Sequence, residues 1–198
     1  MSFRSEDLAD NQQFIRQPSH SNYHWQASTP KEQRFYYFAY GSCMCPVDLK
    51  RSLLENTHDY IVGTAILRGY RLGFYRRSPI RNCGVLDIVK DSSSYVEGVL
   101  YYLPWSLSDR LDEREEVPRN GYRQELVELA SGGKVFQNVR TYVVVDKLKE
   151  ELAPNDWYFN VVLRGAITCG LSEEYCWKLF NHMYQLQLRY QQKQNYYA

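Results

Sequence analysis

Three stretches of the chain carry side chains whose types and spacing could do chemistry. The first is Tyr40-Gly41-Ser42-Cys43-Met44-Cys45-Pro46, where an aromatic run gives way to a helical pattern. Gly41 frees the backbone to turn sharply, and Pro46 suits the first position of a helix, where its missing N–H costs nothing. The opening N–H groups of that helix, with the loop amides and Ser42, make a cradle for a carboxylate or a phosphate. A plain strand-to-helix turn with a capping serine accounts for the same residues.

The second stretch runs from Leu107 to Pro118. Leu107, Leu111 and Glu115 are spaced by four, so they share one helical face, and the face that should meet the core ends in a carboxylate. A carboxylate turned inward loses hydration, which raises its pKa and suits it to moving protons near neutral pH. Asp109, Arg110, Asp112, Glu113, Arg114 and Glu116 are expected largely on the solvated sides. Pairing of Glu115 with an arginine, or a frayed end before Pro118, would explain the same pattern. The third stretch, Pro154 to Ala166, opens as a loop-to-helix entry, with Trp157 and Tyr158 packing just inside it. There the plain account of a tyrosine is core packing with a satisfied hydroxyl.

Other chemistries are poorly served. No GxSxG, Walker or GxGxxG pattern is present. His20 and His24 lie near the N-terminus, and His58 and His182 read as surface or packing residues. The cysteines at 43, 45, 83, 169 and 176 are odd in number and lack zinc-ligand spacing, so neither a disulfide scaffold nor a metal site is expected, and a reducing cytoplasm is the default.

The elements that must position these stretches follow from hydrophobic pattern. Residues 1–34 and 191–198 are polar and read as tails around a domain at 35–190. Within it, strands are expected at 35–39, 60–67, 69–75, 84–89 and 95–102, with turns at Gly69, Pro79–Asn82 and Asp91–Ser94. A hairpin follows at 125–129 and 135–145, and helices at 46–55, 107–116, 157–167 and 172–190. This order gives an α+β fold with a curled or closed mixed sheet rather than alternating βαβ units. The chain has 198 residues, 24 Lys plus Arg against 23 Asp plus Glu, and a formal net charge of +1, which speaks against a nucleic-acid role. It has no run of about 18 apolar residues, so no membrane-spanning helix is expected. Tyrosine, at 18 residues, is the one compositional oddity.

Taken in order, the three stretches resemble the gamma-glutamylcyclotransferase-like family, from about Phe35 to Phe180. Phe38-Ala39-Tyr40-Gly41-Ser42-Cys43-Met44 is similar to that family's F-x-YGSN-M/L loop. Gly69-Tyr70-Arg71-Leu72 with Phe74, and Val96 to Tyr101, resemble the strands that lead to its catalytic helix. Leu111-Asp112-Glu113-Arg114-Glu115 resembles the L-D-x-x-E segment, whose last acid is the family's catalytic glutamate. Gly121-Tyr122-Arg123, Pro154 with Tyr158, Gly165-Ala166 and Gly170-Leu171 complete the set. Three positions depart from the pattern: Cys43 stands where Asn is usual, Glu116 where Gly often follows the catalytic acid, and Asn155 where Ser is usual.

The resemblance implies a small mixed β-barrel with flanking helices and an intramolecular acyl transfer. In it the α-amine of a γ-glutamyl group attacks its own γ-carbonyl, giving 5-oxoproline and a free amine or amino acid. It implies Glu115 as general base and then acid, and Gly41, Ser42 and Cys43 as backbone N–H donors to the α-carboxylate or the developing oxyanion. Tyr40 and Tyr158 would shape the pocket and donate hydroxyl hydrogen bonds, with Tyr122 behind them. No cofactor, metal or covalent intermediate is needed. The implied partner is a small γ-glutamyl molecule, and a homodimer is compatible with the pattern. Two alternatives stay open: the same chemistry on a γ-glutamyl amine or biosynthetic intermediate, and a non-catalytic binding or regulatory protein that keeps the pocket.

Overall fold

The computed structural model describes residues 32–197. Five strands, β1 (Arg34–Ala39), β2 (Ile61–Ser78), β3 (Cys83–Pro104), β4 (Tyr122–Ser131) and β5 (Lys134–Val144), close a barrel in the order β1-β3-β2-β4-β5. The pairs are antiparallel except at the closure, where β1 meets β5 in parallel with Tyr37 opposite Arg140. Four helices flank it: α1 (Pro46–Leu53), α2 (Ser108–Arg114), α3 (Asp156–Thr168) and α4 (Glu173–Tyr197). The expected mixed barrel with flanking helices is therefore the fold observed. None of the described helices is long and apolar enough to cross a membrane.

The aromatic run of β1 is buried at Phe35, Tyr37, Phe38 and Ala39, because the strand lies between β3 and β5 with both edges paired. Phe38, Phe74, Leu100 and Tyr101 are wholly inside. On the helical side, α4 adds Tyr175, Leu179, Met183 and Leu186 to the same core.

Two expected turns are not chain reversals. The strands expected at 60–67 and 69–75 form one long strand, bent at Gly69 (φ +78°), where the β2–β3 register shifts between Arg68 and Tyr70. Such a bulge bends a strand without ending it, and glycine takes the positive φ at no steric cost. The strands expected at 84–89 and 95–102 are likewise joined through Asp91–Ser94, and the Asp91 carboxylate accepts bonds from Ser93 and Ser94. A single 18-residue strand thus pairs with a single 22-residue one, reversing at 79–82 as expected. The last helix continues past Tyr190 to Tyr197, so most of the expected C-terminal tail is helical. The expected N-terminal tail lies outside the described residues except for Glu32–Arg34, and Arg34 opens β1.

Candidate active site

The loop between β1 and α1 is a single tight turn. Ser42–Met44 form one turn of 3-10 helix, closed by the Met44 N–H on Gly41 O (2.9 Å) and the Cys45 N–H on Ser42 O (3.3 Å). Pro46 then opens α1 as the sequence requires. The tyrosine of β3, Tyr101, donates its hydroxyl to Met44 O (3.0 Å) and ties the turn to the barrel. Among the described residues the N–H groups of Ser42 and Cys43 have no acceptor, so two adjacent buried donors are free to meet an anion.

Glu115 caps the C-terminal end of α2, with its N–H on Leu111 O (3.1 Å). Leu107 and Leu111 are buried below it, so the face read from the spacing of four does turn inward. The Glu115 side chain is 14% exposed, and its Oε1 accepts a bond from the Cys43 thiol (Sγ to Oε1 3.2 Å). The residue that departs from the family's usual Asn thus sits in direct contact with the acid. Burial first, with the Glu115 carboxylate adding and Arg114 opposing, pushes the Cys43 thiol up to about 12.

Arg114 and Glu116 do not lie on solvated sides as expected. The Arg114 side chain is 10% exposed, donating through Nη2 to Ser42 Oγ (3.1 Å) and to Asp48 Oδ2 of α1 (2.9 Å), with its Nε 4.0 Å from Glu115 Oε1, so the arginine pairing considered for Glu115 is also present. The reason is tertiary: α1 packs against α2, and Ser42 and Cys43 of the loop bond to Arg114 and Glu115 at its end, so a position on the outer face by helical wheel is turned away from solvent in the assembled protein. Glu116 holds a left-handed backbone (φ +53°), and its carboxylate forms an ion pair with Arg76 of β2. A left-handed φ is the conformation that glycine takes freely, which gives a physical reason for the family's glycine at this position.

Tyr122 and Tyr158 both bond to the backbone of one residue of β3, Leu86. The Tyr122 hydroxyl donates to Leu86 O (2.8 Å), and the Tyr158 hydroxyl accepts from the Leu86 N–H (3.1 Å). Asn155 caps α3 by accepting the Tyr158 N–H on Oδ1 (2.9 Å), which fixes the tyrosine in the first turn. Tyr158 is buried as expected, whereas its neighbour Trp157 stays 46% exposed. The Tyr40 hydroxyl donates to Tyr142 O (2.6 Å), so its proton is engaged in the wall. Among the described residues the Tyr158 proton alone of these three has no protein acceptor. Burial pushes all three phenols up, and they are neutral at ordinary pH.

Tyr40, Gly41, Ser42, Cys43, Glu115, Tyr122 and Tyr158 all line one cavity of about 70 Å³. Its wall also includes groups that the sequence reading passed over, chiefly Tyr37, Arg76, Arg81 and Arg114. Arg114 adjoins the expected acid and could have been found from that adjacency. Arg76 and Arg81 lie around the β2–β3 turn and carried no local signal. The arrangement sets a carboxylate, two free amides and a free phenol proton around one small space, which is what an acyl transfer through a tetrahedral oxyanion needs.

Residues 95–179 match the model of the AIG2-like family. The chain is 34% identical over 148 residues to YkqA of Bacillus subtilis, covering 75% of this chain and 52% of that one, so it spans about half the length of that relative. The crystal structure of YkqA superposes with a TM-score of 0.71 at 34% identity, covering 77% of this chain and 55% of the other. The gamma-glutamylcyclotransferase of Homo sapiens is 29% identical over 154 residues, which cover 76% of this chain and 79% of the human one. A solved gamma-glutamyl cyclotransferase gives a TM-score of 0.68 at 26% identity, over 74% of this chain and 86% of its own.

Proposed function

We propose that this chain, which matches the AIG2-like family model over residues 95–179 and shares the fold of a solved gamma-glutamyl cyclotransferase, cyclises a γ-glutamyl group to 5-oxoproline, releasing an amine or amino acid. The observation that carries the reading is the meeting of Glu115 with the Tyr40–Cys43 loop, sealed by the bond from the Cys43 thiol to Glu115 Oε1. The substrate is its own nucleophile, so the protein need only fold it, move a proton and stabilise the oxyanion.

In this reaction Glu115 takes a proton from the α-ammonium of the substrate. The freed amine attacks the γ-carbonyl carbon, and a C–N bond forms while the carbonyl electron pair moves to oxygen. The Ser42 and Cys43 N–H groups hold the α-carboxylate, and the Tyr158 hydroxyl, the donor without a protein acceptor, faces the oxyanion. Collapse of the intermediate breaks the original amide bond as Glu115 gives its proton to the departing nitrogen, and the ring nitrogen passes its second proton through the same carboxylate to the released amine, which leaves as an ammonium. One carboxylate serves both steps. Glu116, a second acid in the sequence, is engaged by Arg76. Tyr40 and Tyr122 shape the wall.

The reading is tested by incubating the purified protein with γ-glutamyl-alanine and measuring 5-oxoproline. Release is expected, and Glu115→Gln is expected to lower kcat by about 10²- to 10⁴-fold, since an amide moves no proton. Full activity in that variant would overturn the role given to Glu115. Thermal stabilisation by the dipeptide without turnover in the unaltered protein would favour a binding module instead.

A further inference from the structure

The cavity wall carries three guanidinium groups, and two are already matched by carboxylates. Arg76 is paired with Glu116 and lies over the Tyr122 ring (5.0 Å to its centre). Arg114 is paired with Asp48 and bonded to Ser42. Arg81 has no such partner: among the described residues no carboxylate pairs with it, and its guanidinium makes no hydrogen bond.

Its position is nonetheless fixed. The Arg81 N–H donates to Ser78 Oγ (3.2 Å), its carbonyl accepts from Asn155 Nδ2 (3.1 Å), and the Asn82 N–H closes the turn on Ser78 O (2.8 Å). The guanidinium carbon stands 4.8 Å from the centre of the Trp157 ring and 5.8 Å from that of Tyr158. Stacking on aromatic faces leaves the N–H edge of a guanidinium open, in the fork geometry that accepts a carboxylate. Tyr158 links this group to the loop, because its hydroxyl lies close enough to Gly41 for a Cβ built there to fall 3.3 Å away. Its ring, at the other end, reaches Arg81.

Resting on the cyclotransferase reading, we propose that Arg81 is a specificity-determining residue that binds the carboxylate of the departing amino acid. The substrate's own α-carboxylate is met by the loop amides, and the half-buried Arg81, with no protein carboxylate beside it, is left free to take a second anion at the cavity wall. A γ-glutamyl amino acid brings one on its leaving group, and a γ-glutamyl amine does not. The substrate class is therefore the γ-glutamyl amino acids.

The test measures binding by titration calorimetry in the Glu115→Gln protein, which prevents turnover, with γ-glutamyl-alanine and γ-glutamyl-ethylamide as probes. The alanine compound is expected to bind about 10- to 100-fold more tightly, the size of a charge-assisted hydrogen bond. Adding Arg81→Ala should abolish that difference by weakening the alanine compound alone. Arg81→Lys, which keeps the charge, should restore part of it and guards against an effect on folding. Equal binding of the two probes, binding of neither, or an equal loss for both on Arg81→Ala would overturn the proposal; the last would put Arg81 on the glutamyl carboxylate. Turnover by the unaltered protein is a separate readout. If neither compound yields 5-oxoproline there, the cyclotransferase reading fails, while the binding comparison still decides the role of Arg81.

Discussion

Cys43 shows how one side chain can tune a site through its neutral form. Its thiol is buried and bonded to Glu115, and burial pushes its pKa from the ordinary thiol value of 9.0 up to about 12. The folded protein therefore favours the protonated thiol, while the unfolded chain ionises near its ordinary value. Below that value the preference costs nothing; above it the unfolded state binds fewer protons than the folded one, so stability is lost as pH rises toward the folded pKa. Between about pH 8 and about pH 10.5 the urea midpoint of the unaltered protein is expected to fall more steeply than that of Cys43→Ala. Equal slopes would mean that the thiol is not held neutral. Glu116 makes the complementary point. Its left-handed backbone suits glycine, yet here the side chain is retained in an ion pair with Arg76 across the cavity wall.

At the scale of elements, the start of α3 joins the site to the β2–β3 turn. Asn155 spends one amide on both tasks: Oδ1 caps the helix at the Tyr158 N–H and Nδ2 holds the Arg81 carbonyl. The family's usual serine would supply the cap but has no second arm at that reach. Asn155→Ala is expected to cost about 1 kcal/mol, lowering Tm by about 2–4 °C. Asn155→Ser should recover most of that loss, since its hydroxyl still caps. A thermal melt of the two variants decides this, and equal destabilisation would show that the Arg81 tether, not the cap, carries the energy. The short α2 acts similarly by position. Because it ends under the loop and α1, it delivers Glu115 and Arg114 together into the interior.

At the scale of the whole molecule, the segment after β5 must close tightly over the barrel to reach α3. The Gly84 N–H donates to Ala153 O (2.8 Å), and a Cβ at Gly84 would fall 1.8 Å from Leu152 O. The obstacle is backbone, which cannot rotate away, so Gly84→Ala is expected to destabilise by about 1–3 kcal/mol or more, read as a lower denaturation midpoint. An unchanged midpoint would show that this segment can lift without cost. The chain's own pattern was enough for an α+β fold with a curled or closed sheet, for the pivot at Pro46 and for the shared face of Leu107, Leu111 and Glu115, because these depend on local periodicity and on the backbone preferences of Pro and Gly, while the barrel itself was implied by the family resemblance. The pattern misread the turns at Gly69 and Asp91–Ser94, since a bulge and a reversal use the same residue types and only strand pairing separates them. The partners of Arg114, the partner of Glu116, the free hydroxyl of Tyr158 and the unmatched charge of Arg81 were decided by tertiary structure alone. Each depends on which groups from distant strands and helices come within a few ångströms, and sequence spacing carries no record of that distance.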